Sequence, residues 1–508
     1  MSEGQPDLPE IVVSVRREPR TSELAGDSPF RVALLGDFSG RGARGQVEGG
    51  RELAARKPVR VDRDNLDEVL ARFEPALDLA PAPDSTSSLS LRFTELEDFH
   101  PDRLYQRLPL FQPLREARRR LGDPATAAQA IEELRGGEAR DVPGPETPER
   151  SATPEDLLEQ IVAESAGPAP AELIGDDLGA YLKRIVAPYR IPELDPQGLE
   201  LIKEVDAACA GLMRQLLHHP EAQALEARWR AVHLLARRIE TTSQLQLHII
   251  DLSRAELEAD LRPDVDLERT GLYKLLVESS VGTPGAERWA LIAGDYTFGP
   301  GPQDVELMAR LAGIGNLAGA PWISAAHPGI AGCESFHESP DPADWAKESP
   351  AAWAALRALP LAAWLGLAAP RFLLRVPYGE QTEPCESFPF EEMVGPPEHD
   401  RYLWGNPAFA CALLLATSFA AAGWDLQPGM HSDIAGLPLH LYQDDGETVS
   451  KPCAEVLLTE RAAAHLLDRG IMPLASLKGT DAVKLVRFQS VAGPAAPLSG
   501  PWKGLEGR

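Results

Sequence analysis

The chain has 508 residues, of which 44% are hydrophobic and 25% charged, a balance typical of globular proteins and long enough for roughly two to four domains. Its formal net charge of -27 repels phosphate backbones, which argues against nucleic acid as a partner. No run of about 18 uncharged apolar residues points to membrane insertion. The acidic start Met1–Glu10 lacks the pattern of a signal peptide, and five scattered cysteines without a CxxC pair support neither a disulfide framework nor a zinc site. A cytoplasmic protein without metal or other cofactor is therefore expected.

In chain order, Ile11, Val12, Val13 and Val15 form a short apolar strand in the N-terminal segment 1–28, followed by a basic and polar linker. Such a strand, far from the next element, suits either a local edge or pairing with a neighbour's sheet. Phe30–Leu35 is a continuous apolar run ending in Gly36, Asp37, Phe38, Ser39 and Gly40, as expected of a buried strand entering a glycine-bounded turn. Val59 and Val61 mark a second strand. Leu66, Val69, Leu70 and Phe73 have helical spacing behind an Asp or Asn cap. Leu89, Leu91 and Phe93 alternate with polar residues as a half-buried strand does. Asp98–Pro101 caps helices that run to about Leu121. A small mixed α/β domain over 29–135 follows from this pattern.

Glycine and proline punctuate 136–155, the best candidate linker. Leu157, Leu158, Ile161 and Val162 then make a short amphipathic helix. Leu201, Val205, Ala208, Leu212 and Leu216 share one helical stripe, and Leu225, Trp229, Val232 and Leu235 share another beyond His218-His219-Pro220. Leu245, Leu247 and Ile249 alternate as a strand. Trp289–Ala293, Trp322–Ala326 and Arg371–Val376 are buried runs. Ala408–Ala422, with Thr417 and Ser418, reads as a buried helix. A larger α/β region over 156–490 is expected, so the whole chain is α/β of the mixed α+β kind. The Pro- and Gly-rich tail, 491–508, is expected to be disordered.

Several of these strings resemble the contractile sheath proteins of type VI secretion systems. Pro29–Gly40, Val61–Leu66, Leu91–Phe93 and Asp98–Pro101 are similar, in order, to the small sheath subunit, TssB (VipA). Leu217–Pro220, Leu225–Arg230, Gly294–Gly299 with Asp295 and Tyr296, Pro370–Gly379, Leu403–Asn406 with Trp404, and Gly436–Pro438 resemble the large subunit, TssC (VipB). The resemblance implies one bacterial chain carrying both subunits, a large subunit shortened at its C-terminus, and a structural role rather than an enzymatic one. It implies copies of itself or other sheath subunits, an inner tube protein and baseplate components as partners. A sheath-derived accessory that caps the machine without polymerising is the second expectation. The resemblance also makes Ile11–Val15 a candidate inter-subunit strand, and the helix at Leu157–Val162 a candidate grip for a AAA+ recycling ATPase.

Bond-making chemistry finds less support. Gly36–Gly40 has neither the GxSxG spacing of a nucleophile elbow nor the GK[ST] ending of a phosphate loop. His218 and His219 are adjacent and diverge by about 100° on a helix, which suits helix termination better than metal binding. Asp295 has no acid–base partner identifiable from spacing. Asp444-Asp445-Gly446, near His440, reads as a hairpin turn.

Overall fold

The computed structural model describes residues 28–79, 89–137, 196–283 and 285–502. The strand expected at Ile11, Val12, Val13 and Val15 and the helix expected at Leu157, Leu158, Ile161 and Val162 lie outside the described residues.

The N-terminal part contributes β1 (Phe30–Gly36), β2 (Val59–Val61), helix α1 (Leu66–Phe73), and a separate antiparallel hairpin of β3 (Ala76–Leu79) and β4 (Leu89–Arg92). Helix α2 (Pro101–Arg107) follows, with His100 as its N-cap; its Nδ1 accepts from the Asp102 amide at 3.2 Å. The alternation at Leu89–Phe93 foretold β4. Its partner β3, behind Pro75, begins with two successive buried residues, Ala76 and Leu77, and so shows no clean alternation.

Helices α3 (Gln112–Gly122) and α4 (Ala127–Gly137) belong to a second compact unit, Pro109–Gly211, together with most of α5 (Pro196–Leu217). Its small core sets Leu121, Ala130 and Ile131 against Leu201, Ile202 and Val205 of the α5 stripe. The consecutive arginines Arg118, Arg119 and Arg120 on α3 are each paired. Arg118 bonds Asp206, Arg119 bonds Glu116 and Arg120 bonds Glu133, each at 2.6 Å.

The rest of the chain adds α6 (Pro220–Arg238), β5 (Leu245–Asp251), α7 (Arg254–Asp260), β6 (Leu291–Phe298), α8 (Pro302–Ala318), β7 (Trp322–Ala326) and β8 (Leu365–Ala369). Then come β9 (Phe372–Leu373), β10 (Trp404–Gly405), α9 (Pro407–Ala422), β11 (Asp433–Ile434), β12 (Leu441–Asp444), β13 (Glu447–Ser450), α10 (Glu460–Asp468), β14 (Ile471–Ser476) and β15 (Val483–Leu485).

Nine strands form one sheet in the order β11-β15-β14-β8-β7-β6-β1-β5-β2. β1 therefore lies inside a sheet made mostly by residues more than two hundred positions away. It runs parallel to β5, from Phe30 opposite Leu245 to Gly36 opposite Asp251, and parallel to β6, from Val32 opposite Leu291 to Leu35 opposite Gly294. A strand flanked on both edges and covered on both faces is mostly apolar, which is why FRVALLG shows no alternation beyond Arg31, whose guanidinium lies over the Trp289 ring and donates to Glu287 O.

On one face Ala33, Leu35, Ile250 and Ile292 join a continuous core with α7, α8 and α10, filled by Trp289, Trp322 and Trp353. On the other face α9 packs against β1, β5, β6, β7 and β8. Helix α9 with the turn after it is long and apolar enough to cross a membrane. Instead it lies in the core, and its apolar surface on all sides matches burial on all sides.

Residues 491–502 correct the expectation of a disordered tail. Val491 and Leu498 are fully buried, the Val491 amide donates to Leu365 O at 2.9 Å, and the Ser499 amide donates to Ala363 O at 2.8 Å. Pro and Gly content suggested disorder, but spaced apolar anchors, ending at the buried Trp502, bind the segment to the sheet.

Candidate functional site

The sequence motifs converge where β1, β5 and β6 end together. After Gly36 the chain turns sharply. The Asp37 carboxylate folds back to accept the Arg41 and Gly42 amides at 2.7 and 2.9 Å, which sets the turn. Gly40 has φ +72, and a Cβ there would sit 2.4 Å from Ala76 O, so only glycine fits this position.

Four hydrogen bonds join Asp37, Phe38 and Ser39 to the later part of the chain. The buried Trp229 indole on α6 donates to Phe38 O at 2.9 Å, and its ring meets Phe38 edge-on. Arg228 donates to Asp37 O at 3.1 Å and pairs with Asp295 at 2.6 Å. Ser39 donates through its amide and hydroxyl to the two oxygens of Asp251, at 3.1 and 2.7 Å. Burial is the largest influence on Asp251 and pushes its carboxyl up; Ser39 pulls it down and the Asp37 charge pushes it further up.

Beside this turn, Glu256 is fully buried and bonds Arg56 at 2.5 Å and Arg41 at 2.9 Å. Burial, the largest influence, works to raise Glu256. Arg56, the Ser253 amide and Arg41 outweigh it and hold the carboxyl below its ordinary range.

Tyr296 is buried with its hydroxyl donating to Leu252 O at 2.8 Å, and burial pushes its pKa far up. Asn406 caps α9, accepting from the Ala408 amide at 2.9 Å, and donates to Tyr296 O at 3.2 Å. The motif glycines, Asp37, Phe38, Ser39, Trp229, Asp295, Tyr296 and Asn406 thus form one connected cluster. Trp404, on β10 opposite Leu373, donates to His399 O and lines an open cleft of about 340 Å³ with Asp295 and Asn406. No histidine or cysteine lines that cleft, and its Asp295 is neutralised by Arg228.

A second network lies beneath α6. Arg375 reaches Glu226 at 2.8 Å and Glu392 at 2.6 Å, while Arg230 also holds Glu226 at 2.6 Å. Glu392 further accepts the Tyr378 amide at 2.8 Å and faces His218 at 3.3 Å. Burial, the strongest influence on Glu392, raises it. Arg375, His218 and the Tyr378 amide reverse this and hold its carboxyl at about 2.

His218 is thus a partner in this network at the end of α5, and His219 is the N-cap of α6, accepting from the Glu221 amide at 3.3 Å. Asp445 and Gly446 have positive φ and make the tight turn between β12 and β13. His440 shares a 2.7 Å hydrogen bond with the Tyr402 hydroxyl. Cys209 and Cys411 are buried. Among the described residues, no set of three or more His, Cys, Asp and Glu side chains could hold a metal ion.

Sequence reasoning missed Arg228, Asp251, Glu256 and the Arg375–Glu226–Glu392 network as partners. The available signal was charge inside otherwise apolar elements. Asp251 ends a strand that is buried until its last residue, and Arg375 ends an apolar run.

Residues 199–492 match the family model of the VipB (EvpB) tail sheath N-terminal domain, and residues 10–137 match that of the type VI secretion system protein VipA. The type VI secretion system sheath protein TssC1 of Pseudomonas aeruginosa is 35% identical over 305 residues, covering 58% of this chain and 61% of that protein. The chain therefore spans about three fifths of the length of this relative. The order of the two matches places the VipA region before the VipB region. The chain belongs to the type VI secretion sheath family, with a VipA region and a VipB N-terminal domain joined in one polypeptide.

Proposed function

We propose that the chain is a structural subunit of a type VI contractile sheath in the bacterial cytoplasm. It assembles with copies of itself or other sheath subunits around an inner tube protein on a baseplate, and it contracts to drive that tube outward. The observation that carries this reading is the insertion of β1, from the VipA region, between β5 and β6 of the VipB region. A sheath lattice moves subunits as rigid bodies, and interleaved strands held by the Asp37, Ser39 and Trp229 bonds keep the two regions together while they move. The polar residues at the motif cluster serve this bracing, so the role is structural and not enzymatic.

Under this reading Ile11–Val15 pairs with a neighbouring subunit's sheet, and Leu157, Leu158, Ile161 and Val162 present spaced apolar anchors to a AAA+ ATPase. The 136–155 segment acts as the connector between the two sheath regions. Electron microscopy of the purified chain, alone and co-expressed with tube and baseplate proteins, is the test. Tubes or stacked rings are expected. A monodisperse monomer in every combination overturns the proposal. Hydrolytic activity lost in Asp295→Ala would overturn the structural reading of the cleft.

A further inference from the structure

The amino ends of β1 and β5 meet the end of α9 at an open pocket of about 620 Å³. Leu245, Phe419 and Trp424 give it an apolar wall, and Glu240, Thr242 and Gln244 give it a polar rim. Phe419 and Leu245 are buried, Trp424 is half-buried, and Glu240 is exposed. Among the described residues Glu240 has no ion-pair partner.

The start of the described chain is fastened to this wall. The Trp424 indole donates to Ser28 O at 2.8 Å, and the Phe30 amide donates to Gln244 O at 2.7 Å. The Phe30 ring lies 4.7 Å from Phe419 and 5.7 Å from Trp424, and those two rings meet edge-on at 5.2 Å. Ser28 is the first described residue, so the chain before it departs from beside the pocket.

The sequence before Ser28 matches the pocket in chemistry. Leu24 is the one large apolar residue between Val15 and Phe30, and Arg16, Arg17 and Arg20 precede it. Four residues separate Leu24 from Ser28, a reach of up to roughly 14 Å. We propose that the pocket is the docking site for residues 20–24 of the same chain. Leu24 enters against Leu245, Phe419 and Trp424, and the Arg20 guanidinium meets the Glu240 carboxylate. The tether at Ser28 holds Leu24 at an effective concentration in roughly the millimolar range, above that of a second copy's segment in dilute solution.

Docking gives Ile11–Val15 a fixed point of departure, since Val15 is five positions before Arg20. Under the sheath reading above, on which this consequence alone rests, a fixed root lowers the ordering cost of pairing with a neighbour's sheet.

Tryptic cleavage after Arg20 in the folded full-length chain, followed by mass spectrometry, tests the docking itself. Leu24→Ser should speed that cut at least about tenfold, the loss of one buried leucine read as a larger open population. Glu240→Gln should speed it about two- to fivefold at low salt and not at high salt. Ala420→Trp fills the pocket from the α9 side and should match Leu24→Ser, and the double variant should go no further. Cleavage within β1 and β5 should stay unchanged, which separates release of this segment from loss of the fold. Benzoylphenylalanine in place of Glu23, irradiated in a mixture of isotope-labelled and unlabelled chains, should link within one chain to 240–245 or 419–424. An unchanged rate in Leu24→Ser, additive rates in the double variant, links between chains, or links outside the pocket would each overturn the proposal. None of these readouts depends on whether the chain polymerises.

Discussion

Glu392→Gln removes one charge from the buried network beneath α6 while keeping its shape. Glu392 is fully buried and accepts from both terminal guanidinium nitrogens of Arg375, at 2.6 and 3.0 Å, and from the Tyr378 amide at 2.8 Å. The substitution leaves Arg375 and Arg230 sharing the single carboxylate of Glu226. Breaking one side of a buried pair costs about 3–5 kcal/mol, because the remaining charge stays in the interior unmatched. The proton equilibrium gives a similar size. The Glu392 carboxyl falls from 4.5 to about 2, and that gap corresponds to about 3 kcal/mol of linked stability. The sign follows from the depressed value: this stability is present above pH 4.5 and is lost as pH falls towards 2. Urea unfolding followed by tryptophan fluorescence at pH 7.5 should show a loss of about 3 kcal/mol. Wild type should lose part of its advantage over the variant between pH 4.5 and 3. Adding Arg375→Met should recover part of the loss, since the paired deletion removes the stranded charge. A loss under about 1 kcal/mol at pH 7.5, or an advantage unchanged in acid, would refute the reasoning.

Other outcomes can be checked the same way. Trp229→Phe keeps an aromatic ring but removes the N–H that donates to Phe38 O and leaves a small cavity in the core, and should cost at least about 1–3 kcal/mol in urea unfolding. Gly40→Ala should destabilise more than Gly45→Ala in thermal unfolding: both have positive φ, but only at Gly40 does the new Cβ meet a backbone oxygen. His248 is buried on β5 with its Nδ1 unpartnered, and burial, then Arg31 and Arg60, hold it at about 3. Because the unfolded imidazole binds its proton below about 6.5, the wild type loses about 1.4 kcal/mol per pH unit between there and 3. His248→Leu should flatten that slope in urea midpoints measured at pH 7 and pH 4.5.

What the sequence revealed depended on how local the cause was. Phe30–Gly36, the α5 and α6 stripes and the Asp445-Gly446 turn were legible because each is set by neighbours in the chain. β8 was not: it lies in the alanine-rich stretch after Trp353, where no period separates a buried strand from a helix. The position of β1 between β5 and β6 was equally hidden, since nothing in FRVALLG names its neighbours. In the motif cluster the residue strings were visible, but the pairings of Ser39 with Asp251 and Arg228 with Asp295 depend on topology.

The placement of β1 has a temporal consequence. Ribosomes add about 5–20 residues per second, and roughly 200 residues separate β1 from β5, so the finished strand waits roughly 10–40 s for its first neighbour. Through that interval an apolar segment with both edges bare is open to other nascent chains. Translation speed over 37–245, and chaperones that hold extended segments, therefore bear on the yield of this protein alongside its final stability.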